Sequence, residues 1–175
     1  MKHPQQRHTQ AGFTMIELIV VIVILGILSA VALPRFTNLQ GDARAAKLNA
    51  ARGSVAAAMG MVHGSALARQ GAPAKACVAG GGNDNIAAAT GTGTVCTETG
   101  PINVSFLYPA GTAAGIGSAA GVTNNVDNYL VTVAGGVVTF RVVGAVTPAT
   151  CQFTYTQPAA LGAAPVLSNA LVAGC

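Results

Sequence analysis

Hydrophobic and polar positions along this chain change rhythm three times, and each rhythm selects a different element. Residues 13–33 are apolar almost without interruption, with Glu17 the one charge among 21 positions. As a helix rising 1.5 Å per residue they span about 30 Å, the thickness of a hydrocarbon core. Beyond Pro34 the apolar residues Leu48, Val55, Met59, Val62 and Ala66 recur at intervals of 7, 4, 3 and 4. That is one helical face, and Arg44, Lys47 and Arg52 lie largely off it. The two patterns predict a helix from Phe13 to about Ala68, roughly 80 Å long.

From residue 102 the period becomes two, the alternation of a half-buried strand. INVSFLY (102–108) reads as one strand, and YLVTVAGGVVTFRVV (129–143) as two strands joined at Gly135-Gly136, a two-residue hairpin turn. Val138, Phe140 and Val142 share a face opposite Thr139 and Arg141, and Cys151, Phe153 and Tyr155 alternate with polar neighbours in CQFTYT. The expected architecture is α+β, a long helical spine with a small antiparallel sheet laid against Leu48 to Ala66. Two segments have no sustained period. Residues 71–100 are low-complexity Gly, Ala and Thr and read as a loop, while 109–128, PAGTAAGIGSAAGVTNNVDN, reads as a turn-rich exposed loop suited to adhesion or neighbour contacts.

Composition narrows the function classes. With 175 residues, 51% hydrophobic, 8% charged and a mean hydropathy of +0.54, the chain has material for one domain plus a membrane anchor. Nine Lys and Arg against five Asp and Glu leave a small excess, and Lys2 and Arg7 precede the apolar run. That excess is too small and too scattered for a nucleic-acid face, but its position favours a cytoplasmic N-terminus and an external remainder. Trp is absent and aromatics are 5%, so the core is built mainly of Val, Leu, Ile and Ala. All four cysteines, Cys77, Cys96, Cys151 and Cys175, follow the apolar run; the even count suits an oxidising compartment and two disulfides, with three connectivities open.

Catalytic and metal chemistry find little to work with. Beyond residue 12 there is a single histidine, His63, and five carboxylates including Glu17. Nucleophile, base and orienter cannot readily be assembled from these, so no enzyme is expected. GTGTVCTETG (91–100) lacks the lysine and the strand-to-helix context of a phosphate cradle. His63 has no partners at zinc-ligand spacing and is expected to pack against the helix's neighbours. No cofactor and no metal are expected. Asn103 heads an N-V-S acceptor pattern for glycosylation, but within a predicted strand.

The order of segments at the N-terminus differs from a secretory signal, because the small residue that ends the basic leader, Gly12, comes before the apolar run. The stretch GFTMIELIVVIVILGILSAVALPRF resembles the leader junction and first helix of type IV prepilins and the related type II secretion pseudopilins. The continuation PRFTNLQGDARAAKLNAARGSV is similar to pilins of the mannose-sensitive haemagglutinin type, and LYPAGTAAGIG and the CQFTYT ending are so more loosely. The resemblance implies a type IV pilin fold in which a prepilin peptidase cuts after Gly12 and methylates the amine of Phe13. It implies that Glu17 of one subunit meets the Phe13 amine of its neighbour, and that 26–34, holding Gly26 and Pro34, is an extensible joint. It also implies a disulfide-closed C-terminal loop, which selects Cys77–Cys96 with Cys151–Cys175.

The expected organisation is then a leader at 1–12, a membrane and filament-core helix at 13–36 and an amphipathic half-helix at 37–70. A disulfide-stapled loop at 71–100 and a sheet head at 101–175 complete it. The expected partners are further copies of the chain, the prepilin peptidase, the pilus assembly machinery and the inner membrane, with no nucleic acid. The precursor would sit in the bacterial inner membrane and the product in an extracellular pilus used for adhesion or motility. The alternative is a pseudopilin of a type II secretion system, whose major forms hold calcium near the C-terminus; here Asp127 is the last acidic residue.

Overall fold

The structure, a computed structural model, describes residues 13–175. It divides into one unit ending at Gln40 and one running from Gly41 to Cys175. Helix α1, Met15–Arg69, supplies residues to both.

In the first unit the large apolar side chains of α1 are exposed, from Met15 at 82% through Leu33 at 66%. The helix continues through Pro34 without a break, so the joint expected at 26–34 is helical in this state. Gly26 has open space where a Cβ would stand, and its carbonyl accepts a bond from the Ser29 hydroxyl at 3.0 Å.

In the second unit the helix buries a stripe of Leu48, Ala51, Val55, Ala58, Val62 and Ala66, none more than 4% exposed. Their intervals of 3, 4, 3, 4 and 4 keep them on one face. Met59 is only partly buried, and Ala51 and Ala58 take the inner positions of the stripe. Two antiparallel sheets cover the stripe where one was expected. The first contains β1 Lys75–Ala76, β2 Asn83–Ile86, β3 Gly93–Thr97, β4 Gly100–Ser105 and β5 Tyr108–Pro109, in that spatial order. The second contains β6 Tyr129–Ala134, β7 Val137–Val142, β8 Gln152–Thr156 and β9 Val166–Leu167, also in order. Val62 and Ala66 pack with Ile86, Val95, Ile102, Val104 and Leu107 of the first. Leu48 to Ala58 pack with Val138, Phe140, Phe153 and Tyr155 of the second. Each sheet therefore owns one half of the stripe.

The β6–β7 hairpin turns at Gly135 and Gly136, both at positive φ (56° and 79°), the conformation that a tight primed turn requires. Val138, Phe140 and Val142 all face the core, as does Tyr155, whose hydroxyl donates to the Pro109 carbonyl at 2.5 Å.

Three sequence expectations give way. The loop expected at 71–100 contains β1, β2 and β3, short strands in which Lys-Ala, Asn-Asp-Asn and Gly93 have poor intrinsic strand preference. Pairing of β3 to β4 over five residue pairs holds them, and so does the Cys77–Cys96 disulfide. INVSFLY is broken after Ser105 by Phe106 and Leu107 in left-handed conformation (φ 52° and 70°). The strain of that turn is offset because it buries Leu107 and aims its carbonyl at His63 Nδ1, 2.9 Å away. The segment 109–128 is exposed only in part, at Ala113, Ala114, Gly121 and 124–128; Gly115, Ile116 and Gly117 form a buried helical turn, with Thr112 Oγ1 accepting from Gly115 N–H.

Replacing Leu48 by alanine removes a fully buried anchor of the stripe, and the second unit should lose about 2–5 kcal/mol in urea unfolding followed by circular dichroism. Burial, with a smaller push from Tyr108, raises the Tyr155 phenol above its ordinary value. The protonated form is thus the folded form: its stabilisation is complete below about pH 10 and is lost as pH climbs toward the raised value. Alkaline unfolding should accordingly be steeper in the wild type than in Tyr155→Phe above about pH 10.

Candidate assembly site

The N-terminal end of α1 is built by three residues. Thr14 precedes the first helical residue, Met15, and Glu17 stands three positions after Thr14. Glu17 N–H donates to Thr14 Oγ1 at 3.3 Å, and Glu17 Oε2 accepts from the Thr14 backbone N–H at 2.8 Å and from its hydroxyl at 2.7 Å. This is a capping box, the reciprocal arrangement in which two otherwise unpaired helix-start N–H groups are satisfied. The first-turn position also places the carboxylate against the positive end of the helix dipole. The T-x-x-E spacing of this cap stands in the sequence beside the charge that interrupts the apolar run.

Around this cap lies hydrocarbon. Phe13, Ile16, Val20 and Val21 border a shallow groove of about 420 Å³ that contains Glu17, and Phe13 is 92% exposed. The best 18-residue window of α1 has a mean hydropathy of 3.0 with none of it buried within the chain. Such a surface needs a bilayer or other apolar helices. The site therefore combines an uncovered apolar rod with one carboxylate held at its N-terminal end. Gly12 lies outside the described residues, while Gly26 and Pro34 lie within α1, away from the cap.

The prokaryotic N-terminal methylation motif matches residues 7–33, the leader end and the apolar helix. The type IV narrow pilus major component PilA5 of Thermus thermophilus is 51% identical over 47 residues, 27% of this chain and 40% of that protein. The chain is prepilin-like. The type II secretion system core protein G of Pseudomonas aeruginosa is 44% identical over 52 residues, 30% of this chain and 34% of that protein. The type IV major fimbrial protein FimA of Dichelobacter nodosus is 28% identical over 103 residues, 57% of this chain and 63% of that one. The chain thus matches less than two thirds of the length of each relative. No solved structure matches it. The apolar helix, the antiparallel sheets and the two disulfides fit an α+β type IV pilin fold.

The disulfides serve the head of this prepilin-like chain differently. Cys77–Cys96 ties the segment after β1 to β3, across 19 positions, and is partly exposed. Cys151–Cys175 closes 24 positions and is buried, fastening the last residue beside β8. Arg44 donates to the Cys175 carbonyl at 3.0 Å, Lys47 to that of Asp127, and Arg52 to that of Ser168 at 2.7 Å. The helix cations thus clamp three loop backbones. His63, stacked on Tyr108 with centroids 4.0 Å apart, donates Nδ1–H to Leu107 O, since a carbonyl can only accept.

Proposed function

We propose that the chain is the major subunit of a type IV pilus, a structural protein with no catalytic role, made as a membrane-anchored precursor and polymerised through its apolar helix into an extracellular filament. The observation that carries this reading is the carboxylate of Glu17, four residues past Phe13, the one charge in an apolar run, 13–33, that nothing among the described residues covers. An ionised group in hydrocarbon is costly and is kept where it has a partner. In the precursor Thr14 partners it. Prepilin peptidase cleavage after Gly12 creates a positive amine on Phe13, and in the filament the Glu17 of one copy pairs with the Phe13 amine of the next. Such a pair contributes chiefly to register and partner choice, because desolvation offsets most of its attraction.

The likeness to core protein G favours a second reading, a pseudopilin forming a short secretion piston. Both readings share the leader, Phe13 and Glu17. The pilus is preferred because the likeness to FimA extends beyond the apolar helix into the head, over 57% of the chain. Electron microscopy of sheared surface material, with its subunit identified by mass spectrometry, separates them: long filaments of this chain support the pilus, and their absence from a secreting strain supports the piston.

Glu17→Ala should leave leader cleavage intact and reduce filaments sharply or abolish them, and normal piliation by this variant would refute the pairing. Gly12→Val should block the peptidase by bulk at the cut, leaving on a gel a precursor that retains the residues before Phe13, with no filament made.

A further inference from the structure

The second unit carries an open groove of about 810 Å³ between α1 and β3. Its floor is Val62 and Val95, both buried, and its margins are Met61 and Val78, which are 66% and 103% exposed. Glu98 stands on the rim, exposed. Among the described residues Glu98 has neither a hydrogen bond nor an ion pair, and the single salt bridge there joins Arg69 to Asp84.

A complementary face lies on the first unit. Arg35, Phe36 and Leu39 fall within about 100° of the helix circumference, since residues three and four apart are surface neighbours. Phe36 is 64% and Leu39 57% exposed. Arg35 is exposed and also has no hydrogen bond or ion pair among the described residues, whereas Arg44, Arg52, Arg69 and Arg141 each have a partner. An arginine flanked by two apolar side chains is the chemical converse of an apolar groove with a carboxylate at its edge.

We propose that this groove receives the Arg35–Phe36–Leu39 face of a second copy of the chain, with the Arg35 guanidinium against Glu98 and with Phe36 and Leu39 over Met61, Val62 and Val78. The inference rests on the filament reading and deepens it, naming a contact between the helix of one subunit and the head of another. The groove's volume is in the range that encloses a drug-sized ligand, roughly 300–1,000 Å³, enough for a few side chains. Charge complementarity selects the partner and its register, because an unmatched charge would oppose any other seating. The Cys77–Cys96 disulfide keeps the groove in shape by holding the segment that carries Val78 against β3.

The test uses the full chain in the bacterium that makes it. Arg35→Glu and Glu98→Arg should each lower the yield of sheared filaments roughly tenfold by setting like charges together at every repeat, and the double exchange should restore it to within about twofold. Both positions are exposed, so the head should fold in all three variants, checked by the unchanged disulfide pattern. A photoreactive benzoylphenylalanine at position 36, activated in sheared filaments, should cross-link to peptides of another copy containing Met61 or Val78. A double exchange no better than the single ones overturns the proposal, as do cross-links that fall elsewhere on the chain or on a different protein. Should the wild-type chain make no filament, the filament reading falls and this contact with it; filaments without rescue sink the contact alone.

Discussion

Everything in the second unit depends on two sheets burying one stripe of a single helix. The stripe from Leu48 to Ala66 alternates large and small residues, and its alanines at 51, 58 and 66 are as buried as its leucine and valines. Small side chains give little apolar area themselves, but Ala51 and Ala58 share one buried cluster with Phe140, Phe153 and Tyr155, whose large rings bury far more. A chain without tryptophan thereby assembles a core from few aromatic residues, two of which, Phe140 and Phe153, stack at 4.8 Å. Polar fastening follows the same geometry. Arg44, Lys47 and Arg52 flank the stripe and are spent on loop carbonyls, so the helix surface retains cations without presenting them as a basic face.

Legibility in the sequence tracked burial of large side chains. Val138, Phe140 and Val142, and likewise Phe153 and Tyr155, announce their strands because every second position is bulky and apolar, and the structure buries each of them. The Gly135-Gly136 turn was equally plain, since glycine alone takes positive φ without cost. What stayed hidden was structure held by something other than periodic hydrophobicity. Strands β2 and β3 carry few bulky apolar residues at a period of two, and their order comes from pairing with the neighbouring strands of successive hairpins and from a covalent staple. Gly93 shows the limit well. A Cβ there would stand 1.9 Å from the Asn85 carbonyl, so the residue is needed for close strand approach, a requirement set by a neighbour eight positions away. The turn at Phe106 and Leu107 was illegible for the opposite reason: bulky residues at positive φ violate local preference, and only tertiary contacts compensate.

At the N-terminal end the balance reverses, because the cap there is set by local chemistry alone. The position of Glu17 relative to Phe13 is conspicuous, and its T-x-x-E relation to Thr14 is as short-range a signal. The cap changes the energetic picture of the carboxylate. A charge brought bare into a bilayer would be opposed by several kcal/mol. With Oε2 already holding the Thr14 N–H and hydroxyl, Glu17 stands partly satisfied among apolar side chains, and the proposed filament pairing would exchange one partner for another.

That exchange generalises to the rest of the surface. A residue whose bonding capacity is filled within its own chain has little reason to prefer any neighbour, and this holds for most of the helix cations. Specificity must then come from groups left incomplete. Among the described residues those groups include the apolar rod, the carboxylate at its head, and charges without a partner such as Arg35 and Glu98. The rod supplies attraction without direction, since hydrophobic contact is proportional to area and indifferent to register. The charges supply direction at little net gain in energy, because each is stabilised only where its complement lies and opposes every other alignment. A polymer of identical subunits needs both kinds of term: one makes association favourable, and the other makes each addition repeat the last.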